Sequence, residues 1–193
     1  MLLSNSNGFG GTKRAVFLDR DGTINIEKDY LYRIDDFEFV AGVPEAILRL
    51  NTAGWLVVVI TNQSGVARGY YSEDDIRILH SYISSQLAAI GAKVDGWYFC
   101  PHHLSGDAPY NIDCECRKPL PGMLIQASRD LGIDLGSSWM VGDKLVDVEA
   151  GLAAGCRTAL VRTGYGAGHE QDLPDGVSAY NDLASAVDLI IEV

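Results

Sequence analysis

The chain has 193 residues, of which 47% are hydrophobic and 21% are charged, a composition typical of one globular domain. Its formal net charge is −11, with 26 acidic and 15 basic residues, which argues against a nucleic-acid binder because such proteins need a basic surface. The apolar runs are too short to span a membrane, and residues 1–13 lack the apolar core of a signal peptide. We therefore expect a disordered lead-in at 1–13 and a single domain at 14–193, in a monomeric cytoplasmic protein without nucleic-acid or membrane partners.

Short β-rich segments alternate with longer segments of helical periodicity along the chain. The β-rich segments lie at 15–18, 55–60, 94–99, 138–141 and 158–161. This alternation is typical of a parallel sheet with crossover helices, and it predicts a three-layer α/β fold of the Rossmann type. A final helix is expected at about 182–191, packed against the edge of the sheet.

Residues with strong conformational preferences mark the predicted helix ends. Pro44 and Pro121 lie where a first helical turn would begin, and Ser72 can cap a helix with Asp75 three residues later. Glycine follows the last turn of the predicted helices at positions 54, 91, 132 and 155.

Polar residues cluster after the predicted strands, at the edge where parallel sheets bind ligands. These residues are Asp19 and Asp21 after the first strand, Thr61, Asn62, Gln63 and Ser64 after the second, Arg117 and Lys118 in the loop after the third, and Asp143, Lys144 and Asp147 after the fourth. Each cluster alone is a common strand-to-helix turn, but their convergence predicts one site.

The pair Asp19 and Asp21 indicates phosphoryl transfer. Two neighbouring carboxylates tolerate each other when a divalent cation lies between them or when one carries a proton. One carboxylate can then attack phosphorus while the other protonates the leaving oxygen, and Mg²⁺ offsets the charge of the substrate. Thr61 and Lys118 can stabilise the phosphoryl oxygens, and Asp143 can complete an oxygen-rich Mg²⁺ site.

A cysteine-rich loop after the third strand predicts a second metal site. Cys100, Cys114 and Cys116 lie within 17 residues of one another, together with His102 and His103. A disulfide is disfavoured in a cytosolic chain, whereas thiolate and imidazole ligands in a closed tetrahedral set suit structural Zn²⁺. The spacing alone leaves open which of the two histidines binds. Such a site would order a loop that has little apolar area of its own.

These motifs resemble those of the haloacid dehalogenase (HAD) superfamily of phosphatases. The carrying residues are D-x-D-G-T after the first strand, T-N after the second, a later lysine and G-D-x-x-x-D after the fourth. The resemblance implies Asp19 as nucleophile, Asp21 as acid and base, and Thr61 and Lys118 as stabilisers of the phosphoryl group. It also implies Mg²⁺ ligation by Asp19, by the Asp21 main-chain carbonyl and by Asp143.

Within this superfamily, the segments LDRDGTIN, TNQSGVARG, CPHH, C-x-C-RKP and MVGDK resemble the D-glycero-D-manno-heptose 1,7-bisphosphate 7-phosphatases. The 40 positions from Asp21 to Thr61 and the 57 from Thr61 to Lys118 leave no room for a separate cap domain. The resemblance implies a phosphatase of lipopolysaccharide precursor synthesis that acts on a small sugar phosphate, with His102 as the zinc ligand. The substrate contacts that it implies are Glu27, Lys28, Asp29, Tyr30, Asn62, Gln63, Ser64, Arg117 and Lys144.

Two alternatives stay open at this point. Histidinol-phosphate phosphatases share the motifs and the zinc loop, although their loop is shorter than the twelve positions that separate His102 from Cys114 here. The chain could also be a zinc-stabilised binding module without catalysis, but such a module needs no acid/base carboxylate such as Asp21. The sequence leaves Asp147 as a helix cap, a surface residue or a neighbour of the site, and it predicts a plain surface loop at 164–175.

Overall fold

The computed structural model describes residues 13–192, which form a parallel β-sheet with helices on both faces. The strands are β1 (Ala15–Leu18), β2 (Leu56–Asn62), β3 (Gly96–Cys100), β4 (Trp139–Gly142), β5 (Arg157–Val161) and β6 (Ser178–Tyr180). The helices are α1 (Val43–Thr52), α2 (Glu73–Ala88), α3 (Gly122–Leu131), α4 (Leu145–Ala153), α5 (Gly166–His169) and α6 (Leu183–Glu192). The predicted three-layer α/β fold is therefore confirmed.

The strand order places the ends of β1 and β4 side by side. The sheet runs β3-β2-β1-β4-β5-β6, and every neighbouring pair is parallel. The chain builds outward from β1 to β3 and then crosses to the other side of β1 to form β4. In sheets of this order, ligands bind in the crevice where the direction reverses. Asp19 and Asp143, which directly follow β1 and β4, meet at this crevice.

Strand β1 is buried on both faces, which explains its uninterrupted apolar sequence. Val16 and Leu18 pack in the core cluster that contains the inner faces of α1, α2 and α6. Ala15 and Phe17 point the other way, into the cluster formed with α3 and α4. All four side chains are completely buried, so the first aspartate of the site is carried on a rigid strand in the centre of the molecule.

Strand β6, at the edge of the sheet, is not among the strands that the sequence pattern predicts. It contains only Ser178, Ala179 and Tyr180 and pairs with β5 alone. Three residues are too few to show an alternation of apolar and polar side chains. An edge strand also has a neighbouring strand on one side only, so fewer of its side chains need to be apolar. Helix α6 follows at the predicted place, and it packs on α1 as well as beside β5 and β6.

The start of the described chain lies close to the predicted domain boundary. The expected lead-in at 1–13 falls outside the described residues except for Lys13, which forms a parallel bridge with Ile133. The folded part thus begins at least one residue before the predicted boundary. None of the helices formed by residues 13–192 combines the length and apolar character that a membrane crossing requires.

The predicted cap of α2 is present as a reciprocal pair of hydrogen bonds. The backbone N–H of Asp75 donates to Ser72 Oγ at 3.2 Å, and the backbone N–H of Ser72 donates to Asp75 Oδ2 at 2.8 Å. These bonds satisfy donors that the first helical turn leaves without partners. Ser72 and Asp75 therefore fix the start of α2 at Glu73, as their spacing in the sequence predicts.

We expect Ser72→Ala to lower the free energy of unfolding by about 1 kcal/mol, because it removes one half of this cap. Chemical denaturation followed by circular dichroism measures the change. Ser81→Ala is the matched control, since Ser81 is exposed on the same helix and its hydroxyl donates to the Arg77 carbonyl in mid-helix. Equal losses in the two variants would show that the cap has no special contribution.

Candidate active site

The carboxyl ends of the central strands open into a polar cavity of about 190 Å³. Most of the predicted site residues lie in its wall. These residues are Asp19, Asp21, Glu27, Asp29, Tyr30, Thr61, Asn62, Gln63, Ser64, Lys118 and Lys144. The cavity therefore unites polar clusters from four separate parts of the sequence.

The floor of the cavity is a buried chain of opposite charges. Lys118 Nζ donates to Asp19 Oδ1 at 2.8 Å and to the Ile60 carbonyl at 2.9 Å. It also lies 2.5 Å from Asp147 Oδ1. Because burial makes an unpaired charge costly, the Lys118 ammonium and the two carboxylates stabilise one another in the interior. Asp147 is thus an interior ion-pair partner, and its alternative as a surface residue is wrong.

The pKa values of this set follow from burial and charge. Burial raises the pKa of Asp19 to about 6, although the Lys118 ammonium acts in the opposite direction. Burial alone would lower the pKa of Lys118, but the carboxylates of Asp147 and Asp19 outweigh it and raise the pKa. Lys118 is therefore charged, and its three N–H donors face Asp19, Asp147 and the Ile60 carbonyl in this structure.

Asp147 also caps α4. The backbone N–H of Lys144 donates to Asp147 Oδ2 at 3.0 Å, so the helix start and the charge network share one side chain. This confirms the capping alternative for Asp147 and fixes the beginning of α4 beside the cavity. Asp143 lies before the helix rather than on it, since α4 begins at Leu145.

Asp143 lies behind the cavity wall and has the character of a cation ligand. It is completely buried, its Oδ2 accepts from the Tyr165 backbone N–H at 2.8 Å, and its Oδ1 has no hydrogen-bond partner among residues 13–192. Carboxylate oxygens of Asp19, Asp143 and Asp147 all lie within 4.8 Å of one another. Burial, followed by the charge of Asp19, raises the pKa of Asp143 to about 8. A divalent cation would offset this cost, so the oxygen set fits Mg²⁺.

Gly22 allows the close approach of the two strand ends. Its φ is +87°, and a Cβ atom at this position would overlap the carboxylate of Asp143. A side chain is therefore excluded both by the left-handed backbone and by the neighbouring ligand. Steric exclusion of a side chain thus explains why the motif D-x-D-G-T has glycine at position 22.

The carboxylate of Asp21 is separate from the acidic cluster and is held by hydrogen-bond donors. Arg20 Nη2 donates to it at 2.9 Å, Asn25 Nδ2 at 3.0 Å and Gln63 Nε2 at 2.9 Å. Burial raises the pKa of Asp21, but the positive charge of Arg20 and these hydrogen bonds outweigh burial and lower the pKa. Its orientation toward the cavity is therefore set by three different side chains.

Gln63 lines the cavity, and its side-chain amide is hydrogen-bonded to neighbouring site residues. It is buried, and its amide N–H groups donate to Asp21 and to Thr61 Oγ1, the latter at 2.8 Å. Its carbonyl accepts from the Tyr71 hydroxyl at 2.8 Å. Although Gln63 lines the cavity, its amide donates to Asp21 and Thr61, two of the catalytic residues that the sequence predicts.

Asn62 also lines the cavity, and its side-chain amide is hydrogen-bonded to the protein backbone. Its side chain donates to the Lys118 carbonyl at 3.0 Å and accepts from the Lys118 N–H at 3.0 Å. These two hydrogen bonds to the backbone of one residue hold the loop that carries Lys118 against the end of β2. Asn62 therefore positions the lysine across 56 residues of sequence.

Charged and aromatic side chains form the mouth of the cavity. Lys144 Nζ contacts Glu27 Oε2 at 3.0 Å and lies 4.7 Å from the centre of the Tyr165 ring. The Tyr165 hydroxyl donates to Asp29 Oδ1 at 3.2 Å. Asp29 and Tyr30 have φ values of +42° and +57°, conformations that are rare outside glycine and are concentrated at ligand sites.

Two of the predicted substrate contacts lie outside this cavity. The Lys28 ammonium donates to the Asp36 carbonyl at 2.7 Å and lies 3.5 Å from Glu38, so it points away from the site. Arg117 donates to the His102 carbonyl at 3.2 Å and lines a neighbouring cavity. Lys118 lines both cavities, so Arg117 belongs to a cavity that adjoins the first one.

The predicted zinc ligands converge at the end of β3. The donor atoms of Cys100, His102, Cys114 and Cys116 lie within 4.8 Å of one another, and several of their distances are 2.9 to 3.8 Å. A tetrahedral zinc ion requires donor atoms about 3.3 to 3.8 Å apart. Four of the distances lie in this range, whereas Cys100 Sγ and Cys116 Sγ, 2.9 Å apart, would have to separate to bind the same ion. The ring of His103 instead accepts from the Ser105 N–H, which favours His102 as the ligand. The cysteines are free thiols.

Three residues of the site carried no readable signal in the sequence. Tyr71, Val146 and Tyr165 line the cavity, but each is an ordinary apolar or aromatic residue in a loop or helix start. Tyr165 belongs to the segment 164–175, for which the sequence predicts a plain surface loop. That prediction is wrong from the beginning of the segment to residue 172, because Tyr165 lines the cavity and is followed by helix α5 and a 3-10 turn. Thr163 anchors this beginning, since its hydroxyl donates to the Gly22 carbonyl at 2.6 Å.

Comparisons with known proteins agree with this geometry. The family description HAD-hydrolase-like matches residues 115–186. A D-glycero-β-D-manno-heptose-1,7-bisphosphate 7-phosphatase of Pasteurella multocida is 51% identical over 153 residues, which cover 79% of this chain and 83% of that protein. The enzyme of the same name from Escherichia coli K12 is 48% identical over 152 residues, which cover 78% of this chain and 80% of that protein.

A solved structure extends the similarity to three dimensions. The D,D-heptose 1,7-bisphosphate phosphatase of B. bronchiseptica, crystallised with magnesium and phosphate, superposes with a TM-score of 0.84 at 36% identity. The match covers 93% of this chain and 98% of the other. The fold, the site and the sequence similarity agree, and the chain is a phosphatase that belongs to the family of D-glycero-β-D-manno-heptose-1,7-bisphosphate 7-phosphatases within the HAD-like hydrolases.

Proposed function

We propose that this phosphatase hydrolyses the 7-phosphate of D-glycero-β-D-manno-heptose 1,7-bisphosphate. The observation that carries the proposal is the convergence of Asp19, Asp21 and Lys118 in one cavity, with Lys118 Nζ 2.8 Å from Asp19 Oδ1. A nucleophile, a proton carrier and a fixed positive charge are the groups that phosphate monoester hydrolysis requires. The names of the relatives supply the substrate and its β-anomer.

The first step transfers the phosphoryl group to the protein. An Asp19 carboxylate oxygen attacks phosphorus and forms a P–O bond, while the bond from phosphorus to the sugar oxygen breaks. The leaving oxygen takes the bonding electrons and a proton from the Asp21 carboxyl group. Because the pKa of Asp21 is lowered in the free site, the negative charge of the bound phosphate is needed to raise it and keep the proton in place.

The second step releases inorganic phosphate. A water molecule attacks phosphorus, gives its proton to the Asp21 carboxylate, and displaces Asp19 from the aspartyl-phosphate. Lys118 and Thr61 line the cavity, and their ammonium and hydroxyl groups would stabilise the phosphoryl oxygens in both steps. Asp21 thus ends in the protonated form in which it started, with a proton taken from water, and the cycle is closed.

The acidic residues would hold Mg²⁺. The carboxylates of Asp19 and Asp143 would bind it, together with the Asp21 main-chain carbonyl that the superfamily resemblance implies. When bound, the cation offsets the negative charge of these residues and of the phosphate. Asp147 belongs to the same cluster, but its pairing with Lys118 and its cap on α4 give it a structural task instead.

Zn²⁺ would occupy the four-residue thiolate and imidazole set. The loop from Cys100 to Cys116 leads directly into Arg117 and Lys118, so the metal would hold the catalytic lysine in place from one side. Asn62 holds its backbone from the other side. The metal therefore has a positional role, because all four coordination positions are taken by protein.

The rest of the sugar would be recognised at the mouth. Glu27, Asp29, Tyr30, Ser64 and Lys144 line this region and offer hydrogen-bond donors and acceptors to hydroxyl groups. Arg117, in the neighbouring cavity, would bind the 1-phosphate, since a guanidinium offers two parallel donors to a phosphate. The enzyme would thereby act in the synthesis of heptose precursors of lipopolysaccharide. Its expected monomeric state and cytoplasmic location stay predictions.

The substrate is tested by Mg²⁺-dependent release of phosphate from the heptose 1,7-bisphosphate and from L-histidinol phosphate. We expect kcat/KM to favour the heptose by at least about 100-fold, because buried polar groups left unpaired penalise the wrong ligand. Only the 7-phosphate should be released, as phosphorus NMR of the product will show. A preference for histidinol phosphate would assign the chain to the other phosphatase class. Release from neither would support the binding-module alternative.

A further inference from the structure

Arg20 lies between the two aspartates in the sequence, and its buried guanidinium is surrounded by hydrogen-bond partners. Its side chain is completely buried. Nε and Nη2 donate to the carboxylate of Asp21 at 2.9 to 3.2 Å, and Nη2 also donates to the Leu31 carbonyl at 2.8 Å. One end of the guanidinium remains after these bonds, and its Nη1 lies 3.4 Å from His80 Nε2.

His80 comes from α2 and is held in a fixed orientation. Its ring stacks on Trp97 with a centroid distance of 4.3 Å and an interplanar angle of 23°. The Trp97 indole N–H in turn donates to Ser84 Oγ at 3.1 Å, one turn further along the same helix. The imidazole is thus clamped between a helix and a strand, and its Nε2 is directed at Arg20.

The contact requires a neutral imidazole. Arginine offers only donors, so the nitrogen that faces Nη1 must be an acceptor. Burial, followed by the charge of Arg20, lowers the pKa of His80 to about 3, which agrees with this requirement. A neutral acceptor satisfies the guanidinium without competing for its charge, and that charge is left to Asp21.

We propose that His80 is a positioning residue for the phosphatase reaction, which fixes Arg20 against Asp21 and thereby aims the Asp21 carboxyl proton at the leaving oxygen. This inference rests on the proposed function, because it takes Asp21 as the proton donor. His80 itself touches neither the cavity nor the acidic cluster among the described residues. Its effect on the reaction passes through Arg20 alone.

The test uses two substrates with different needs for a proton. When the bond from phosphorus to oxygen breaks, the sugar oxygen of the heptose bisphosphate must receive the Asp21 proton, whereas p-nitrophenyl phosphate releases a stable phenolate without one. Because kcat/KM covers the steps up to the first irreversible one, it reports this bond cleavage. The ratio of the two kcat/KM values therefore measures how well the acid is aligned.

For His80→Phe, we expect kcat/KM for the heptose bisphosphate to fall about tenfold and that for p-nitrophenyl phosphate to change less than about twofold. Phenylalanine keeps the stacking on Trp97 but removes the acceptor. His80→Gln, which restores an acceptor, should recover most of the loss. Ser84→Ala is the matched control, since it changes a Trp97 contact on the same helix without touching Arg20, and it should leave both values unchanged.

Circular dichroism and thermal unfolding establish that each variant is folded. If His80→Phe is not folded, Arg20→Met interrupts the same connection from its other end and must change the ratio in the same direction. Equal losses with both substrates, or a loss with neither, would overturn the proposal and make His80 an ordinary core residue.

Asp21→Asn separates failure of this inference from failure of the proposed function. It should lower kcat/KM for the heptose bisphosphate far more than for p-nitrophenyl phosphate. If Asp21→Asn changes both equally, the role of Asp21 as proton donor is wrong, and the inference about His80 falls with it. If Asp21→Asn changes the ratio but His80→Phe does not, only the inference about His80 is wrong.

Discussion

Asp19→Asn should abolish turnover of the heptose bisphosphate, with a loss of at least about 1,000-fold in kcat. The amide cannot attack phosphorus, so the aspartyl-phosphate does not form. The protein should remain folded, because Lys118 keeps its second carboxylate partner, Asp147, and the mutation removes a buried negative charge that burial disfavours. Phosphate release and thermal unfolding, measured on the same preparation, test both parts.

The control is Asp21→Asn, which retains the nucleophile. With p-nitrophenyl phosphate, this variant should form the aspartyl-phosphate but hydrolyse it slowly, because its base is missing. Mass spectrometry of acid-quenched protein should then find one added phosphoryl group on the peptide that contains Asp19. A variant Asp19→Asn that keeps a substantial part of the wild-type activity would refute the assignment of the nucleophile.

Loss of the proposed zinc site should have the second large effect, because it would change both the stability of the protein and the position of Lys118. Cys100 is completely buried, and Cys114 and Cys116 pack against the core cluster under α3. Without metal, the loop loses its main source of order. We expect Cys114→Ser to lower the free energy of unfolding by at least about 2 kcal/mol and the melting temperature by about 4–8 °C.

Catalysis should fall as well, because the disordered loop carries Lys118. We expect kcat/KM for the heptose bisphosphate to decrease about tenfold or more, since a misplaced charge stabilises the transition state poorly. Metal analysis of gently purified protein should find zinc in the wild type and little in Cys114→Ser. His103→Gln and Cys156→Ser are the controls, because neither residue belongs to the cluster. Zinc-free wild-type protein with full activity would contradict the site.

The fold was readable because its signals are local. Strand β1 was predicted with the observed bounds, since a strand covered on both faces is an uninterrupted apolar run. The cap at Ser72 was readable from two residues three positions apart. Strand β6 was not, because a short edge strand depends on its neighbour rather than on its own sequence. Hydrophobic patterns report burial within one segment, and they lose strength where the segment is short.

For the candidate site too, some features were readable from the sequence and others were not. The order of the motifs was sufficient to predict that Asp19, Thr61 and Lys118 would meet, because parallel strands end at a common edge. The directions of the side chains were not predictable from that order. Gln63 turns to Asp21, and Lys28 turns to Asp36, although both stand in predicted contact segments.

Partners that are distant in sequence were decided by the tertiary structure alone. Asp147 pairs with Lys118, the Tyr165 backbone N–H donates to Asp143, and His80 contacts Arg20 across 60 residues. Such pairs exist because a buried polar group must find a partner at whatever position the packed helices and strands bring near. The residue types of a short segment therefore determine its backbone and its chemistry, whereas packing determines which groups share a proton or a charge.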